Sequence, residues 1–342
     1  MKIKIKKDRY IGEDSPCYIV MDAASNHNVD LDTAIELVKE AAKNGADAIK
    51  FQTYTAKSLY STKCPLFSYV PIRPYDLIKM VQHPREWLPI LNELAIENAF
   101  DFTSSPFDYE AVDLLEQINV PFHKIASCEI VDLDLIDYVA KKQKPVIIST
   151  GMATIGEIQD AVDVMLKNNN ENIIILHCNT IYPTPVEAVN LKAMKTLMAV
   201  FDYPIGYSDH TLGIHISLAA VALGAKVIER HFTLDKNQEG PDHAVALDPS
   251  DLKALVTSIR DIEKSMGDGI KRPHELELEN YEKGRRSIIA AQDIPKGTQI
   301  TRNMLIIKRP SYGIKPKFLG LVIGRTAKID IEYDQWITWD MI

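Results

Sequence analysis

Short apolar runs recur along the chain, and most are followed by a stretch with helical spacing. The runs are CYIVMDA (17–23), ADAIKFQT (46–53), AFDFTSS (99–105), PFHKIAS (121–127), PVIIST (145–150), IIILHC (173–178), YPIGYS (203–208) and KVIERH (226–231). They are brief and rich in β-branched and aromatic residues, as strands buried on both faces are. Between them apolar residues return every three or four positions, as in LDTAIELVKEAAKNG (31–45), YEAVDLLEQINV (109–120) and TIGEIQDAVDVMLKNN (154–169). That period predicts amphipathic helices. Gly45 ends the first of them, Gly224 stands before the last strand, and Ser250 reads as the N-cap of a final helix over 249–267.

Eight strand–helix alternations in this span predict a (β/α)8 TIM barrel, which takes ~250 residues. An open doubly wound sheet would need a glycine fingerprint after its first strand, and the ASNHNVD found there has no glycine. Residues 54–83 form a long connection between the second and third strands, which reads as a lid or binding loop. The pattern changes after Gly267: residues 268–284 read as a charged linker. Residues 285–342 then show short strands broken by PKG, Ser-Tyr-Gly and Asp-Gln turns, which predicts a small all-β domain. The expected organisation is α/β: a catalytic barrel over 1–267, the linker, and the small domain over 285–342.

Composition narrows the class. The 342 residues are 46% hydrophobic and 25% charged, ordinary values for a globular protein. No apolar run reaches the length of a membrane span, and MKIKIKKDRYIGEDSP lacks the apolar core of a signal peptide. The four cysteines are scattered with no CxxC pair, so reduced thiols and a cytoplasmic location are expected. A net charge of −8 argues against a nucleic-acid partner. It is unevenly spread: from Arg285 onward ten Lys/Arg face five Asp/Glu, making that segment +5 and the rest −13. A basic tail on an acidic body is either a solvated face, a docking face, or a contributor to an anion site.

Barrels gather chemistry at the C-terminal ends of their strands. Here those ends carry Asp22; Lys50 and Gln52; Thr103 and Ser104; Lys124, Ser127 and Glu129; Ser149 and Thr150; His177 and Asn179; Ser208, Asp209 and His210; and Glu229, Arg230 and His231. Two lysines, an arginine and several hydroxyls on one rim point to an anion site for a phosphate and a carboxylate. His210 and His231 end adjacent strands and either cap their loops or share an ion. Two histidines fall short of a zinc set, whereas Mg2+ or Mn2+ would accept carboxylate, water and substrate oxygens as well. Lys124 suits a Schiff base or an anion. Cys128 and Cys178 read as packed thiols, and His27 as a turn residue or a lid contact.

In order along the chain, NHNVDLDTA, GADAIKFQTY, KIASCEI, ISTGMAT, LHCNTIYPTP, GYSDHTLG and ERHFTLDKNQEGPDH resemble the sialic acid synthases. The tail, with KRPSYGIKP and IGRTAKIDI, resembles their C-terminal antifreeze-like (SAF, β-clip) domain. The resemblance implies condensation of phosphoenolpyruvate with the open-chain aldehyde of an N-acetylated hexosamine, giving a nine-carbon 2-keto acid and phosphate. It implies a divalent cofactor, Mn2+ or Mg2+, on His210 and His231. It also implies a phosphoenolpyruvate cradle of Lys50, Lys124, Ser127, Ser149 and Ser208, with Gln52 and Asn179 nearby. Glu129 and Asp22 match carboxylates at the reacting centre, and Tyr182 and Asp242 match sugar contacts. Arg309 matches an arginine that reaches the partner's barrel in a domain-swapped homodimer.

N-acetylmannosamine is the expected sugar. A diacetamido-dideoxy hexose, giving legionaminic or pseudaminic acid, is the alternative, and a non-catalytic polysaccharide-biosynthesis relative is a third reading. Three departures fall on the sugar side. The family usually reads Ala-Glu-Ile-Gly where this chain has Met21-Asp22-Ala23-Ala24, commonly has glycine where Val29 stands, and often has asparagine at Thr180.

Overall fold

The computed structural model describes residues 1–68 and 71–342. It divides into two compact units, Met1–Met266 and Gly267–Ile342. The first opens with an antiparallel hairpin of β1 (Lys2–Lys6) and β2 (Arg9–Gly12). Eight parallel strands follow: β3 (Tyr18–Asp22), β4 (Ala48–Thr53), β5 (Asp101–Pro106), β6 (His123–Ile125), β7 (Val146–Ser149), β8 (Ile173–Cys178), β9 (Ile205–Asp209) and β10 (Val227–His231). Each lies within, or overruns by one residue, a run picked out by its apolar character. Their order is β5-β4-β3-β10-β9-β8-β7-β6, so the first and last strands of the series pair and the sheet curls into a TIM-like barrel. At the remaining seam the Thr103 hydroxyl of β5 donates to the Phe122 carbonyl at 2.7 Å, just before β6.

Helices cover the outside, among them Leu31–Lys43, Tyr109–Gln117, Ile155–Lys167 and Pro249–Ser265. The last is capped by Asp248 rather than Ser250. The Asp248 carboxylate accepts from the backbone N–H groups of Ser250 and Asp251, which puts Ser250 inside the first turn. An aspartate followed by proline at the first helical position was the stronger signal, since proline needs no hydrogen-bond acceptor there. The long connection after β4 contains the helices Ala56–Leu59 and Pro74–Val81, and two of its residues, 69 and 70, lie outside those described.

Strand alternation sorts the barrel's side chains into two cores. Ile19, Met21, Ile49, Phe51, Ile148, Ile175 and Ile228 point outward and pack under the helices. Tyr18, Val20, Ala48, Phe122, Ile147, Ile174, Leu176 and Val227 point inward, where Ile3, Ile5 and Ile11 of the hairpin join them. The hairpin therefore plugs the lower mouth. Its KIKIK alternation, exposed–buried throughout, is a period-two signal that a search for signal-peptide character passes over.

The second unit has an antiparallel pair, β11 (Ser287–Ala290) and β12 (Leu305–Lys308), with further bridges such as Ile294 to Ile331. Ile288, Ile300, Leu305, Ile314, Val322 and Ile337 fill its core. Residues 267–284 group with this unit rather than standing apart from it. Their helix Leu278–Gly284 is tied in by the Ser311 hydroxyl, placed 3.0 Å from the Tyr281 carbonyl and 2.8 Å from that of Glu282. Among the described residues no helix is long and apolar enough to cross a membrane.

Candidate active site

On seven of the eight strands the inward positions change character two residues further up. Val20 gives way to Asp22, Ala48 to Lys50, Phe122 to Lys124, Ile147 to Ser149, Leu176 to Cys178, Gly206 to Ser208 and Val227 to Glu229. A packed apolar layer thus becomes the floor of a polar cavity of about 200 Å³, whose walls include Gln52, Ser127, Glu129, Tyr182, His210 and His231.

A charge network spans this floor. Lys50 Nζ lies 2.8 Å from Asp22 Oδ2 and 3.4 Å from Glu229 Oε1. Lys124 Nζ donates to Ser149 Oγ at 2.7 Å and to the Ile125 carbonyl at 2.8 Å, with Glu229 Oε1 at 4.0 Å. Ser208 Oγ donates to the same Glu229 oxygen at 3.1 Å. Gln52 Nε2 donates to Asp22 Oδ2 at 3.0 Å. Burial alone would raise both carboxyls. The lysines outweigh it, so Asp22 and Glu229 are held below the usual carboxylate range. Lys50 is likewise pulled down by burial and pushed higher by its two carboxylates, ending above the ordinary lysine value. Burial wins at Lys124, which is lowered although Glu229 opposes it.

Glu129 is a different case. It follows β6 on a 3-10 turn, Ser127–Val131, and its Oε2 is buried without a hydrogen-bond partner. Burial pushes its carboxyl up to about 7, with Lys124 only partly offsetting the effect. A carboxyl placed there exchanges protons near neutrality.

The two histidines meet at the opposite wall. Their ring centroids are 5.1 Å apart and nearly perpendicular, and the Tyr182 ring lies 4.2 Å from His210 and 5.6 Å from His231. His210 Nδ1 is 2.7 Å from the Asn179 carbonyl, which can only accept, so Nδ1 carries the proton and Nε2 keeps a free lone pair. His231 Nδ1 is buried with no hydrogen-bond partner. Carboxylates stand just beyond hydrogen-bond range: Asp22 Oδ2 at 3.6 Å from His231 Nε2, and Asp242 Oδ1 at 3.8 Å from Nδ1. Two imidazoles with uncommitted nitrogens fit a divalent ion. Among the described residues no group of three or more His, Cys, Asp or Glu forms a ready-made cage, so further ligands would be water or substrate oxygens.

Comparison with known proteins is decisive at this point: the NeuB family pattern matches residues 37–271, and the SAF domain pattern residues 285–342. The chain belongs to the NeuB family. It is similar to an uncharacterized protein of Methanocaldococcus jannaschii, 47% identical over 99% of this chain and 98% of that one. It is 45% identical to the N,N'-diacetyllegionaminic acid synthase of Campylobacter jejuni over 91% of this chain and 97% of that enzyme. Among solved structures, the N-acetylneuraminic acid synthetase of Leptospira borgpetersenii, in complex with citrate, superposes with a TM-score of 0.75 at 34% identity, covering 82% of this chain and 95% of that one. As a NeuB protein the chain is a synthase of the sialic-acid type.

Within this NeuB chain the cavity gathers Asp22, Lys50, Gln52, Lys124, Ser127, Glu129, Ser149, Tyr182, Ser208, His210 and His231. Several rim residues lie elsewhere. Arg230 does not face the cavity. Alternation turns it outward, where it donates to Asp209 Oδ2 at 2.7 Å and to the Gly213 and Thr211 carbonyls, bracing the loop after β9. His177 also points outward, with Nε2 donating to the Val189 carbonyl at 2.8 Å. Asn179 is not part of the cavity wall: its side chain donates to the Ala188 carbonyl at 3.0 Å, and its own carbonyl orients His210. Asp242 accepts from the Ser25 hydroxyl at 2.6 Å, beside His231. Cys178 is buried as expected, but Cys128 is exposed and borders the cavity. His27 is a turn residue as expected, its Nδ1 accepting from the Val29 backbone N–H at 3.0 Å, and its ring packs among Phe51, Trp87 and His83, the last of these at the end of the long connection after β4. Arg309 is an exposed residue of the second unit and forms no ion pair among the described residues.

Sequence reasoning did not assign Glu229 a role, although its inward parity on β10 marks it. It read 54–83 as a lid or binding loop, and Tyr54, Leu59, Tyr60 and Ile78 of that connection do wall the outer cavity, but it singled out none of them and missed Phe107 after β5. Period-two counting stops at a strand's end, and these residues come from connections.

Two departures from the family pattern share a geometry. Ala24 and Val29, each replacing a common glycine, have φ of +45° and +56°. A β-branched residue in the left-handed region is strained. The segment is nevertheless held in place: Ala24 N donates to Asp22 Oδ1 at 2.9 Å, and Asn26 Nδ2 to the Phe232 carbonyl at 2.9 Å. Gly151 is needed for another reason. A Cβ there would fall 2.3 Å from Thr180 Oγ1 and 2.8 Å from Ser127 Oγ.

Proposed function

We propose that this protein condenses phosphoenolpyruvate with the open-chain aldehyde of an N-acetylated amino sugar, releasing phosphate and a nine-carbon 2-keto acid. The observation that carries this reading is the cradle of buried Lys50, Lys124, Ser149 and Ser208 and half-buried Ser127, beside a histidine pair and the near-neutral Glu129. Two ammonium groups and three hydroxyls suit the phosphate and carboxylate of phosphoenolpyruvate. His210 and His231 would hold Mn2+ or Mg2+, which when bound supplies Lewis-acid polarisation of the aldehyde oxygen.

The chain's own groups do the rest. The lysines and serines fix phosphoenolpyruvate so that its C3 faces the aldehyde carbon. As that C–C bond forms, Glu129 gives its proton to the aldehyde oxygen. Water then adds at C2, Glu129 recovers a proton, and the C2–O bond to phosphate breaks. Tyr182 and Asp242 orient the sugar. Arg309 of a partner subunit completes the site in a domain-swapped homodimer.

For the sugar, the 45% identity to the Campylobacter jejuni enzyme favours a diacetamido-dideoxy hexose. The outer wall of Leu59, Ile78 and Phe107 supports it, because apolar side chains suit a sugar with fewer hydroxyls. N-acetylmannosamine is the second reading, favoured by the fit to the Leptospira borgpetersenii synthetase. The test is phosphate release from phosphoenolpyruvate with Mn2+, each sugar offered separately with an EDTA control. Turnover on the diacetamido sugar alone is expected. Turnover on N-acetylmannosamine alone reverses the choice, and no release with either overturns the reaction.

A further inference from the structure

An anion sits in the middle of the anion site. Glu229 projects from β10 to the cavity floor, only 5% exposed, with Oε1 3.4 Å from Lys50 Nζ, 4.0 Å from Lys124 Nζ and 3.1 Å from Ser208 Oγ. These three are themselves members of the phosphoenolpyruvate cradle. The contacts are also loose. Lys50 makes its short ion pair with Asp22 at 2.8 Å, and Lys124 spends its short hydrogen bonds on Ser149 and Ile125. Glu229 Oε2 has no partner at all. A carboxylate kept for stability alone would be expected to close on one lysine with both oxygens satisfied.

We propose that Glu229 is a positioning residue that occupies the seat between Lys50 and Lys124 in the empty site and weakens retention of the phosphate product. This rests on the reading of the cavity as a phosphoenolpyruvate site. The two lysines are buried, and phosphate enters the same volume with charge of the same sign as Glu229. In a medium of low polarity, like charges a few ångströms apart repel strongly. Each oxyanion that binds must push the carboxylate aside and work against it. Phosphoenolpyruvate offsets this with its own carboxylate contacts, whereas free phosphate has no such compensation, so release is favoured. Lys50 and Lys124 are meanwhile kept apart and facing the seat, with no need to rearrange when substrate arrives.

The test titrates inorganic phosphate into full-length protein by calorimetry, alongside steady-state kinetics with phosphoenolpyruvate varied. Glu229→Gln keeps the shape and the Ser208 contact but removes the charge. It is expected to bind phosphate at least tenfold more tightly, with KM for phosphoenolpyruvate and kcat both falling. Glu229→Asp draws the charge back by one methylene and is expected to tighten phosphate about threefold, which keeps the question open to test even where the Gln variant fails to fold. A purely structural role predicts weaker phosphate binding and a raised KM in whichever variants fold, and that result, or unchanged phosphate affinity, overturns the proposal. A wild-type protein that binds neither phosphate nor phosphoenolpyruvate overturns the underlying site instead.

Discussion

Replacing Glu129 by Gln gives a variant whose stability and activity move in opposite directions, and pH sets how far. The carboxyl rests at about 7 against an ordinary value of 4.5, because ionising it in its buried position is unfavourable. The difference corresponds to ~3 kcal/mol at 1.36 kcal/mol for each tenfold change in proton affinity. Well below the unfolded-chain value the group is protonated in both states and contributes nothing. Between the two values the unfolded chain ionises first, so the wild type loses stability as pH rises. Above about 7 the whole cost is present. Glutamine is neutral throughout and escapes it. Urea denaturation followed by circular dichroism is therefore expected to show Glu129→Gln more stable by ~1 kcal/mol at pH 5 and by ~3 kcal/mol at pH 8.5. Turnover of the same variant should fall by ~100-fold or more, the usual contribution of a positioned general acid or base. A stability gap that does not widen between these two pH values would refute the assignment of a buried, destabilised carboxyl.

The remaining expectations concern other parts of the molecule. Val29→Gly relieves a β-branched residue at φ +56°. Set against the extra freedom glycine gains in the unfolded chain, the net gain should be ~1 kcal/mol, visible as a melting temperature raised by ~2–4 °C. His231→Ala should lower Mn2+ affinity at least tenfold in a direct metal titration, and unchanged affinity rules out a shared ion with His210. Removing residues 285–342 should abolish turnover while leaving a folded barrel, because Arg309 goes with them; a fully active truncation refutes a role for that arginine.

The barrel was legible in the chain because a parallel strand buried on both faces is a continuous apolar run, and eight such runs are hard to mistake. The floor of the cavity was legible too, since the polar residues interrupt those runs at their C-terminal ends. Parity was the part not read. Arg230 and Glu229 are neighbours in sequence, yet one braces a loop from outside and the other lies among the lysines. Cys178 is packed as read, whereas Cys128 follows its strand on a 3-10 turn, where strand burial no longer applies. The outer wall was legible only in outline: the length of 54–83 marked a binding loop, but nothing local picked out Leu59 and Ile78 within it, or Phe107 of the next connection, as the side chains that meet over the cavity.

Asp22 stands opposite His231 in the ladder where β3 meets β10, the earliest and latest of the parallel strands. The floor residues Asp22 and Glu229 are thus separated by nearly the whole barrel in sequence, and they come together only when the ring shuts. A barrel missing its final strand would have half of the charge network and one of the two histidines. Any ligand that bridges these groups acts as a clasp across the closure. Its binding energy adds to the stability of the completed ring and to none of the open intermediates. A ligand held across these groups should therefore slow unraveling, and occupancy of the site reports that the last strand has found the first.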